Sequence, residues 1–181
     1  VVFVGTQIVL GLACASAQAF AKSETPSLVT EVVEHAYRGD DDLLTAGLGA
    51  AGLRSPVPPA FADATQPTAV ERRRRAIWAN WRGIADLSAG GGYGELYGAL
   101  SAVPGREYHA MAKLPGAGQP HRVMVQLPDT YDVGKRCLVV TASSGSRGIY
   151  GAIALAGAWG LSHGCAVAYT DKGNGTGFVD T

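Results

Sequence analysis

A turn rich in serine and glycine holds the residues best suited to chemistry in this 181-residue chain, with the sequence SSGSRG at 143–148. A serine hydroxyl becomes a nucleophile when a nearby base takes its proton. Backbone N–H groups in such a turn can instead stabilise the negative charge that develops on an ester oxygen. Two roles in ester hydrolysis are therefore open. Ser144, Gly145, Ser146 and Arg147 could form an oxyanion loop, or Ser146 could be the nucleophile, because S-G-S-R-G differs from G-x-S-x-G only at its first position.

The same turn also has features of a dinucleotide-binding turn. The segment TASSGSRGIYGAIALAG is similar to the T-G-x-x-x-G-x-G turn of short-chain dehydrogenases, and Asp171 stands where an acid would bind the ribose. The spacing differs, because Ala142 replaces the first glycine and glycines recur at every third position, at Gly145, Gly148 and Gly151. A dehydrogenase-like domain therefore remains an alternative, as does a secreted module without catalysis.

The elements that must position this turn form a predicted βαβ unit. Cys137–Val140 has the length and apolar character of a buried strand, and Cys165–Tyr169 is a second such strand. Between them, Ile149–Leu161 is apolar on all faces and rich in small residues, which predicts a helix covered on most sides. The two strands should be parallel, so ligands should bind beyond their carboxyl ends, at the 143–148 turn and the Asp171–Gly177 loop.

An antiparallel hairpin is predicted before this unit. Its strands are Glu107–Leu114 and His121–Leu127, joined by PGAGQP, and its predicted buried face carries Val123, Val125 and Leu127. A hairpin followed by a βαβ unit is the order in which an α/β-hydrolase sheet begins. We therefore predict the α/β class, with residues 20–181 as the N-terminal portion of a single α/β-hydrolase-like catalytic domain whose sheet is incomplete.

That fold has consequences for the position of the nucleophile. In α/β-hydrolases the loop after the third strand donates an N–H to the oxyanion hole, and the nucleophile follows later in the chain. The chain order thus favours an oxyanion role for the 143–148 turn, and the catalytic serine is expected beyond Thr181. Ser146 remains the alternative nucleophile.

The clearest amphipathic helix is predicted over Thr68–Asp86. Thr68 and Glu71 have the spacing of a capping box. The predicted apolar stripe consists of Val70, Ile77, Trp81 and Ile84. The run Arg72–Arg75 could bind phosphate or nucleic acid, but successive residues point in different directions around a helix. We therefore predict a solvated face with one or two internal ion pairs.

The other candidate site residues give weaker signals. Asp40–Asp42 lacks the D-x-D-x-D-G spacing of a calcium loop, so a solvated turn or a helix cap is favoured. The sequence assigns no role to any of the four histidines. No cysteine and histidine cluster has metal-binding spacing, so no metal site is predicted.

The N-terminus has the pattern of an export signal. Residues 1–19 are largely apolar and end in Ala17-Gln18-Ala19, an A-x-A cleavage site, although the chain begins with Val1 and lacks a basic leader. We predict a signal peptide truncated at its start, a secreted protein with no stable membrane association after cleavage, and a chain that is part of a larger enzyme. The formal net charge of zero argues against nucleic-acid binding by overall charge.

The cysteines that remain after signal cleavage are Cys137 and Cys165, one at the start of each predicted parallel strand. Both lie at the same end of the sheet, and they could form a disulfide if the two strands are neighbours. Export would permit such a bond. Two buried free thiols are the alternative.

From about residue 38 onward, the chain resembles the extracellular 3-hydroxybutyrate oligomer hydrolase family. The resembling segments are RGDDDLLTAGLGAAGLRS, PPAFADATQPTAVERRRRAIWANWRGIADL, GGGYGELYG and CLVVTASSGSRGIYGAIALAGAWGLSHGCAVAYTDKGNGTG. The resemblance implies hydrolysis of short (R)-3-hydroxybutyrate oligoesters to monomers by a serine esterase, without metal or cofactor. It also implies a chain several times longer, with the catalytic serine after a later strand, so the present segment alone should be inactive.

Overall fold

The structure is a computed structural model and describes residues 28–82, 84–88, 91 and 99–173. The predicted signal peptide at residues 1–19 lies outside the described residues. So do most of the GGGYGELYG segment and the part of the predicted ligand-binding loop that follows residue 173.

The described residues form a mixed sheet of five strands in the order β1-β2-β3-β5-β4. The strands are β1 (Val33–Tyr37), β2 (Gly105–Ala112), β3 (His121–Pro128), β4 (Leu138–Ala142) and β5 (Ala166–Thr170). Only β4 and β5 pair in parallel; β1 with β2, β2 with β3 and β3 with β5 are antiparallel. The predicted hairpin and the predicted parallel pair are both confirmed, and the α/β class with them.

Three α-helices and one π-helix accompany the sheet in the described part of the chain. The α-helices are α1 (Gly49–Arg54), α2 (Ala69–Trp81) and α3 (Ala158–Ser162), and the π-helix spans Ile153–Gly157. We call the sheet face on which they pack the helical face, and the other the open face. On the helical face the largest fully buried apolar side chains are Leu43, Leu44, Leu53, Ile77, Trp81, Met124, Ile149, Ile153, Leu161 and Val167.

The buried face of the hairpin is not the predicted one. Along β3, Met124 and Gln126 are buried, whereas the valines and the leucine of the prediction are half-buried on the open face. Both faces of β3 carry side chains that can be buried, so alternation alone does not choose between them. The polar Gln126 is tolerated inside because its Nε2 donates to Leu43 O at 2.7 Å and its Oε1 accepts from Tyr169.

Helix α2 begins as predicted and ends early. Thr68 Oγ1 accepts from Glu71 N at 3.2 Å and Glu71 Oε2 accepts from Thr68 N at 2.8 Å, which confirms the capping box. The helix stops at Trp81 rather than Asp86, because Arg82 has an extended backbone. Val70 is 48% exposed and does not belong to the buried stripe, since the first turn of α2 borders an open cleft instead of the core.

The crossover between β4 and β5 is divided into a π-helix and α3 instead of forming one helix. Gly157 N donates to Ala152 O at 3.3 Å across the wider π turn. A Cβ on Gly157 would lie 2.6 Å from the Tyr169 hydroxyl, so this close approach to β5 requires a glycine. The helix between these strands was predicted to be covered on most sides. Among the described residues this cover is incomplete, because Leu155 and Trp159 remain 61% and 57% exposed.

A disulfide joins the two residues that precede β4 and β5. Because these strands are parallel neighbours, Cys137 and Cys165 lie side by side, with 4.7 Å between their Cα atoms and 1.98 Å between their sulfurs. Of the helices in the described ranges, none combines the length and the apolar character needed to cross a membrane.

Candidate functional site

The 143–148 loop lies at the carboxyl end of the parallel strands. It leaves β4 at Ser143, whose N–H donates to Thr170 O at 2.9 Å, so the loop starts beside the last residue of β5. Asp171 follows on the neighbouring strand. The two segments that the sequence singled out as ligand-binding positions therefore begin next to each other, at the sheet edge where ligands of such folds bind.

The middle of this loop presents backbone groups to solvent. Ser144, Gly145 and Ser146 are exposed, and Arg147 is half-buried. Arg147 N donates to Ser144 O at 3.3 Å, which closes a turn, and its Nη1 donates to Arg82 O at 3.3 Å, which ties the turn to the end of α2. Among the described residues, the N–H groups of Gly145 and Ser146 have no protein acceptor. These two amides are free to meet a ligand oxygen.

Ser146 has no activating partner in the described part of the chain. Neither a histidine nor a carboxylate forms a hydrogen bond with its hydroxyl there. A serine nucleophile requires a base within hydrogen-bonding distance. Of its two predicted roles, the loop geometry therefore suits backbone donation better than nucleophilic attack.

The loop does not sit directly at a helix N-terminus, although the predicted helix was expected to start at Ile149. The first helical residue is Ile153, and its cap, Ala152, makes no side-chain hydrogen bond. A turn at residues 149–152 separates the loop from the helix, because Gly148 takes a left-handed conformation with φ of 66°. The serines therefore do not cap this helix, and the helix dipole contributes little at the loop, since its effect falls off within one turn.

The base of the loop is closely packed. Ser143 is buried, and its hydroxyl has no hydrogen-bond partner among the described residues. A Cβ on Gly151 would lie 2.7 Å from Ser143 Cβ and 3.0 Å from Arg147 Cβ. Close packing under the loop therefore requires a glycine at position 151. Packing alone explains this one of the regularly spaced glycines, and no bound dinucleotide is needed to account for it.

A buried polar network, which no local sequence pattern indicated, adjoins the loop. Its centre is Glu107 on β2, which is fully buried. Glu107 accepts from Arg73 Nη2 at 2.8 Å, Gln126 Nε2 at 2.7 Å and Tyr150 Oη at 2.9 Å. His109 Nε2 lies 3.2 Å from its Oε2. Tyr150 follows Gly148 by two residues, so the network fixes the chain immediately after the loop.

Arg73 does not belong to the predicted solvated arginine face. Its side chain is only 3% exposed, and it bridges Glu107 and Asp41, with Nη1 2.8 Å from Asp41 Oδ1. Its Nη2 also donates to Asp42 O at 3.0 Å. A planar guanidinium with several fixed donors can satisfy several oxygens at once, which is why an arginine can be buried here. One signal was available in the sequence: Glu107 is a carboxylate in a strand that was predicted to be half-buried.

The network changes the ionisation of its members. Burial raises the pKa of Glu107, but the charge of Arg73 and the surrounding donors outweigh it and hold this pKa well below its ordinary value of 4.5. Burial and the nearby Glu107 charge raise the pKa of the Tyr150 phenol well above its ordinary range. The carboxylate therefore stays ionised and Tyr150 stays a hydrogen-bond donor at any physiological pH.

A cleft with a volume of about 820 Å³ opens beside this network. Its walls come from β1, β2, β3, the N-terminal half of α2 and the chain after the 143–148 loop, and include His35, Tyr37, Val70, Arg73, His109 and Tyr150. The rings of His35 and His109 meet edge to face, with centroids 5.9 Å apart. His163 lies elsewhere, stacked on Trp159 at 4.6 Å. In the described ranges, His109 is the one histidine that contacts a carboxylate.

Two of the acidic residues noted in the sequence, Asp42 and Asp171, accept hydrogen bonds from backbone amides. Asp42 is buried, and its Oδ1 accepts from Leu44 N and Thr45 N, each at 2.8 Å. Asp171 is also buried, and its Oδ1 accepts from Arg122 N at 2.9 Å and Gly173 N at 2.8 Å. Within the described ranges, no group of three or more histidine, cysteine or acidic side chains could hold a metal ion.

Comparison with known proteins identifies the relatives of this chain. The model of the 3HB-oligomer hydrolase family matches residues 10–181. The chain belongs to this family. Family membership favours the ester-hydrolase interpretation of the 143–148 loop over the dinucleotide-binding one.

Curated members of the family are similar over most of the chain. A D-(-)-3-hydroxybutyrate oligomer hydrolase of Burkholderia vietnamiensis is 46% identical over 91% of this chain and 26% of its own length. Proteins of the same name from Paraburkholderia xenovorans and Cupriavidus metallidurans are 50% and 53% identical over 78% and 77% of this chain. The chain thus spans about a quarter of the length of the relatives it matches. No solved structure matches it significantly.

Proposed function

We propose that the chain is the N-terminal part of a secreted enzyme that hydrolyses (R)-3-hydroxybutyrate oligomers to monomers. The observation that carries this proposal is the family match over residues 10–181, together with relatives named D-(-)-3-hydroxybutyrate oligomer hydrolases. The partners of such an enzyme are small ester oligomers. The A-x-A motif at Ala17-Gln18-Ala19 and the disulfide between Cys137 and Cys165 both support export, because disulfides persist in oxidising compartments.

The sheet of this enzyme is proposed to be of the α/β-hydrolase type. In that fold the second strand is antiparallel to its neighbours, and the fourth strand lies between the second and the third. With β2 counted first, β3, β4 and β5 are the second, third and fourth strands, and the order β2-β3-β5-β4 follows this rule. β1 is then an additional strand at the antiparallel edge.

This correspondence supports an oxyanion role for the 143–148 loop. It follows the third strand, and an N–H from that loop joins the oxyanion hole in α/β-hydrolases. The free amides of Gly145 and Ser146 are the candidate donors. A single oxyanion donor lowers the barrier of acyl transfer by about 3 to 4 kcal/mol in enzymes where it has been removed.

The proposed reaction proceeds through an acyl-enzyme without metal or cofactor. A serine beyond Thr181 loses its proton to a base and attacks the ester carbonyl carbon, whose oxygen becomes negative and accepts hydrogen bonds from the loop amides. The ester C–O bond then breaks, and the hydroxyl end of the leaving hydroxybutyrate unit receives the proton. Water attacks the acyl-enzyme in the same way and releases the second product.

The role of Ser146 can be tested by Ser146→Ala in the complete protein. Alanine keeps the backbone N–H and removes only the hydroxyl, so hydrolysis of 3-hydroxybutyrate trimer should stay within about threefold of the unsubstituted rate, well short of the loss of an oxyanion donor. Ser101→Ala, on another exposed loop, is the matched control. A loss of several orders of magnitude with an intact circular dichroism spectrum would identify Ser146 as the nucleophile.

The position of the nucleophile can be measured directly. A serine-directed phosphonate should abolish hydrolysis of p-nitrophenyl butyrate by the complete protein, because it forms a covalent bond with an activated serine. Peptide mapping should then locate the phosphonylated serine after residue 181. Modification of Ser146 would contradict the assignment, and hydrolysis that survives the phosphonate would contradict the acyl-enzyme mechanism.

A further inference from the structure

The cleft beside Glu107 extends to the edge of the sheet that carries the 143–148 loop. Arg122 and Tyr150 both lie on its wall. Arg122 N donates to Asp171 Oδ1 at 2.9 Å, at the carboxyl end of β5, and Tyr150 lies two residues after Gly148. A ligand that occupies the cleft can therefore continue toward the loop.

His109 in this cleft is oriented by a buried acid. Its Nε2 lies 3.2 Å from Oε2 of Glu107, which stays ionised and can only accept hydrogen bonds. Nε2 therefore carries a proton, and in the neutral imidazole Nδ1 is left as an acceptor. Among the described residues, no group donates a hydrogen bond to Nδ1. The cleft thus contains an oriented acceptor that suits an O–H or N–H donor from a ligand.

The charges around the cleft balance, which disfavours a ligand with a net charge. In the described part of the chain, four arginines line the cleft together with three carboxylates, Glu31, Asp40 and Asp41. Glu107 supplies a fourth carboxylate, and Arg73 is paired with both Glu107 and Asp41. Apolar side chains complete the wall, including Val33, Val70 and Met111. Apolar walls with a few placed polar groups are typical of sites for small neutral ligands.

We propose that this cleft binds the hydroxyl end of a 3-hydroxybutyrate oligomer, whose terminal O–H donates to Nδ1 of His109. This inference rests on the proposed function. The ester oxygens of the oligomer and the carboxylate at its other end only accept hydrogen bonds, so the terminal hydroxyl is the group that matches Nδ1. The methyl groups of the units have apolar partners in Val33, Val70 and Met111.

The separation of His109 from the loop sets a minimum length for such a substrate. β2 and β4 are three strand spacings apart, which is about 14 Å. A hydroxybutyrate unit adds four chain bonds, or roughly 5 Å when it is extended. About three units therefore lie between a hydroxyl at His109 and the ester that meets the loop. A tetramer is long enough to reach both places, and a dimer is not.

Two pairs of substrates test this proposal on the complete protein. One pair is the 3-hydroxybutyrate tetramer and the same tetramer with a butyryl unit in place of its hydroxyl-terminal unit; the other is the corresponding pair of dimers. The butyryl compounds lack only the terminal hydroxyl. Titration of the released acid should give a kcat/KM about tenfold higher for the tetramer that has the hydroxyl, because the other leaves Nδ1 without a donor. The two dimers should agree within about twofold.

A variant of His109 identifies the residue that recognises the hydroxyl. His109→Phe keeps a ring but has no acceptor, so it should abolish the preference between the two tetramers. His163→Phe is the matched control, because His163 stacks on Trp159 outside the cleft, and it should keep the preference.

Equal kcat/KM values for the two tetramers in the unsubstituted protein overturn the inference, whether or not His109→Phe folds. A preference of the same size in the dimers also overturns it, since the hydroxyl is then recognised beside the ester that is cut. So does a preference that survives His109→Phe. Hydrolysis of none of the four compounds would instead refute the proposed function, and the inference with it.

Discussion

Arg73 and Glu107 hold together three parts of the molecule that are distant in sequence. The pair joins α2 to β2, and Tyr150 adds the chain that follows the 143–148 loop. Both charged side chains are almost completely buried, at 3% and 0% exposure. The removal of one charge would leave the other without its counterion in a medium of low polarity, so the pair is far more sensitive to substitution than a surface ion pair.

Glu107→Gln should therefore destabilise the protein strongly. The expected loss in the free energy of unfolding is about 3 to 5 kcal/mol, because Arg73 stays buried with only Asp41 as a charged partner. Asp129→Asn breaks the exposed pair with Arg38 and should cost about 0 to 1 kcal/mol. Urea unfolding followed by tryptophan fluorescence measures both. Similar small losses in the two variants would show that Glu107 is not the centre of the network.

Glu107→Gln should also change how the free energy of unfolding depends on pH. The pKa of Glu107 is depressed in the folded state, so its stabilising contribution is complete above the ordinary value of 4.5 and is lost as the pH falls toward the folded pKa. The unsubstituted protein should lose stability progressively as the pH falls from 5 to lower values. In Glu107→Gln the free energy of unfolding should fall less steeply over this pH range, because the contribution of Glu107 is absent. A slope of unchanged steepness would contradict the depressed pKa.

The buried arginine shows what the sequence could not predict at this scale. Four consecutive arginines have the same local signal, and a helix turns successive residues in different directions, so at most a minority face the core. Which one is buried depends on a carboxylate 34 positions away in the chain. Only the tertiary contact selects Arg73, and local spacing carries no information about that contact.

At the level of the element, the start of α2 depends on the capping box. Thr68→Ala removes the acceptor for Glu71 N and should lower the free energy of unfolding by about 1 kcal/mol. Thr68→Ser keeps a hydroxyl at the same position and should change the stability much less. Thermal unfolding of the two variants compares them directly. Equal effects would mean that the methyl group of the threonine, not its hydroxyl, stabilises this end of the helix.

An element can be predicted from the sequence when the contacts that define it join residues that are near one another along the chain. The capping box is local, and both of its residues were predicted correctly. The strand pairs β2–β3 and β4–β5 also followed from patterns along the chain. The face of β3 that is buried did not, because Met124 and Gln126 are selected by partners on distant segments, such as Leu43 and Tyr169. Gly157, at the end of the π-helix, likewise lies close to Tyr169 of β5, and this contact cannot be read from local spacing.

At the scale of the whole molecule, the disulfide should contribute a large part of the stability. Cys137 and Cys165 are 28 positions apart, and closing a loop of this length stabilises a folded chain by about 3 to 4 kcal/mol through the unfolded state. The double variant Cys137→Ser with Cys165→Ser should show that loss in urea unfolding. Addition of a reductant should lower the stability of the unsubstituted protein and leave the double variant unchanged. A reductant without effect on the unsubstituted protein would show that the thiols are free.

Because of the disulfide, a cut in the exposed 143–148 loop does not separate the chain into two pieces. The bond joins the residue before β4 to the residue before β5, so residues 137–165, which include β4 and the whole crossover, form a closed ring. A protease that cuts the exposed backbone at Ser144–Ser146 opens this ring without separating the chain into two molecules. The nicked protein would migrate as a single band under non-reducing electrophoresis and as two bands after reduction. The segment proposed to stabilise the oxyanion can thus be cleaved while both halves of the sheet stay tethered.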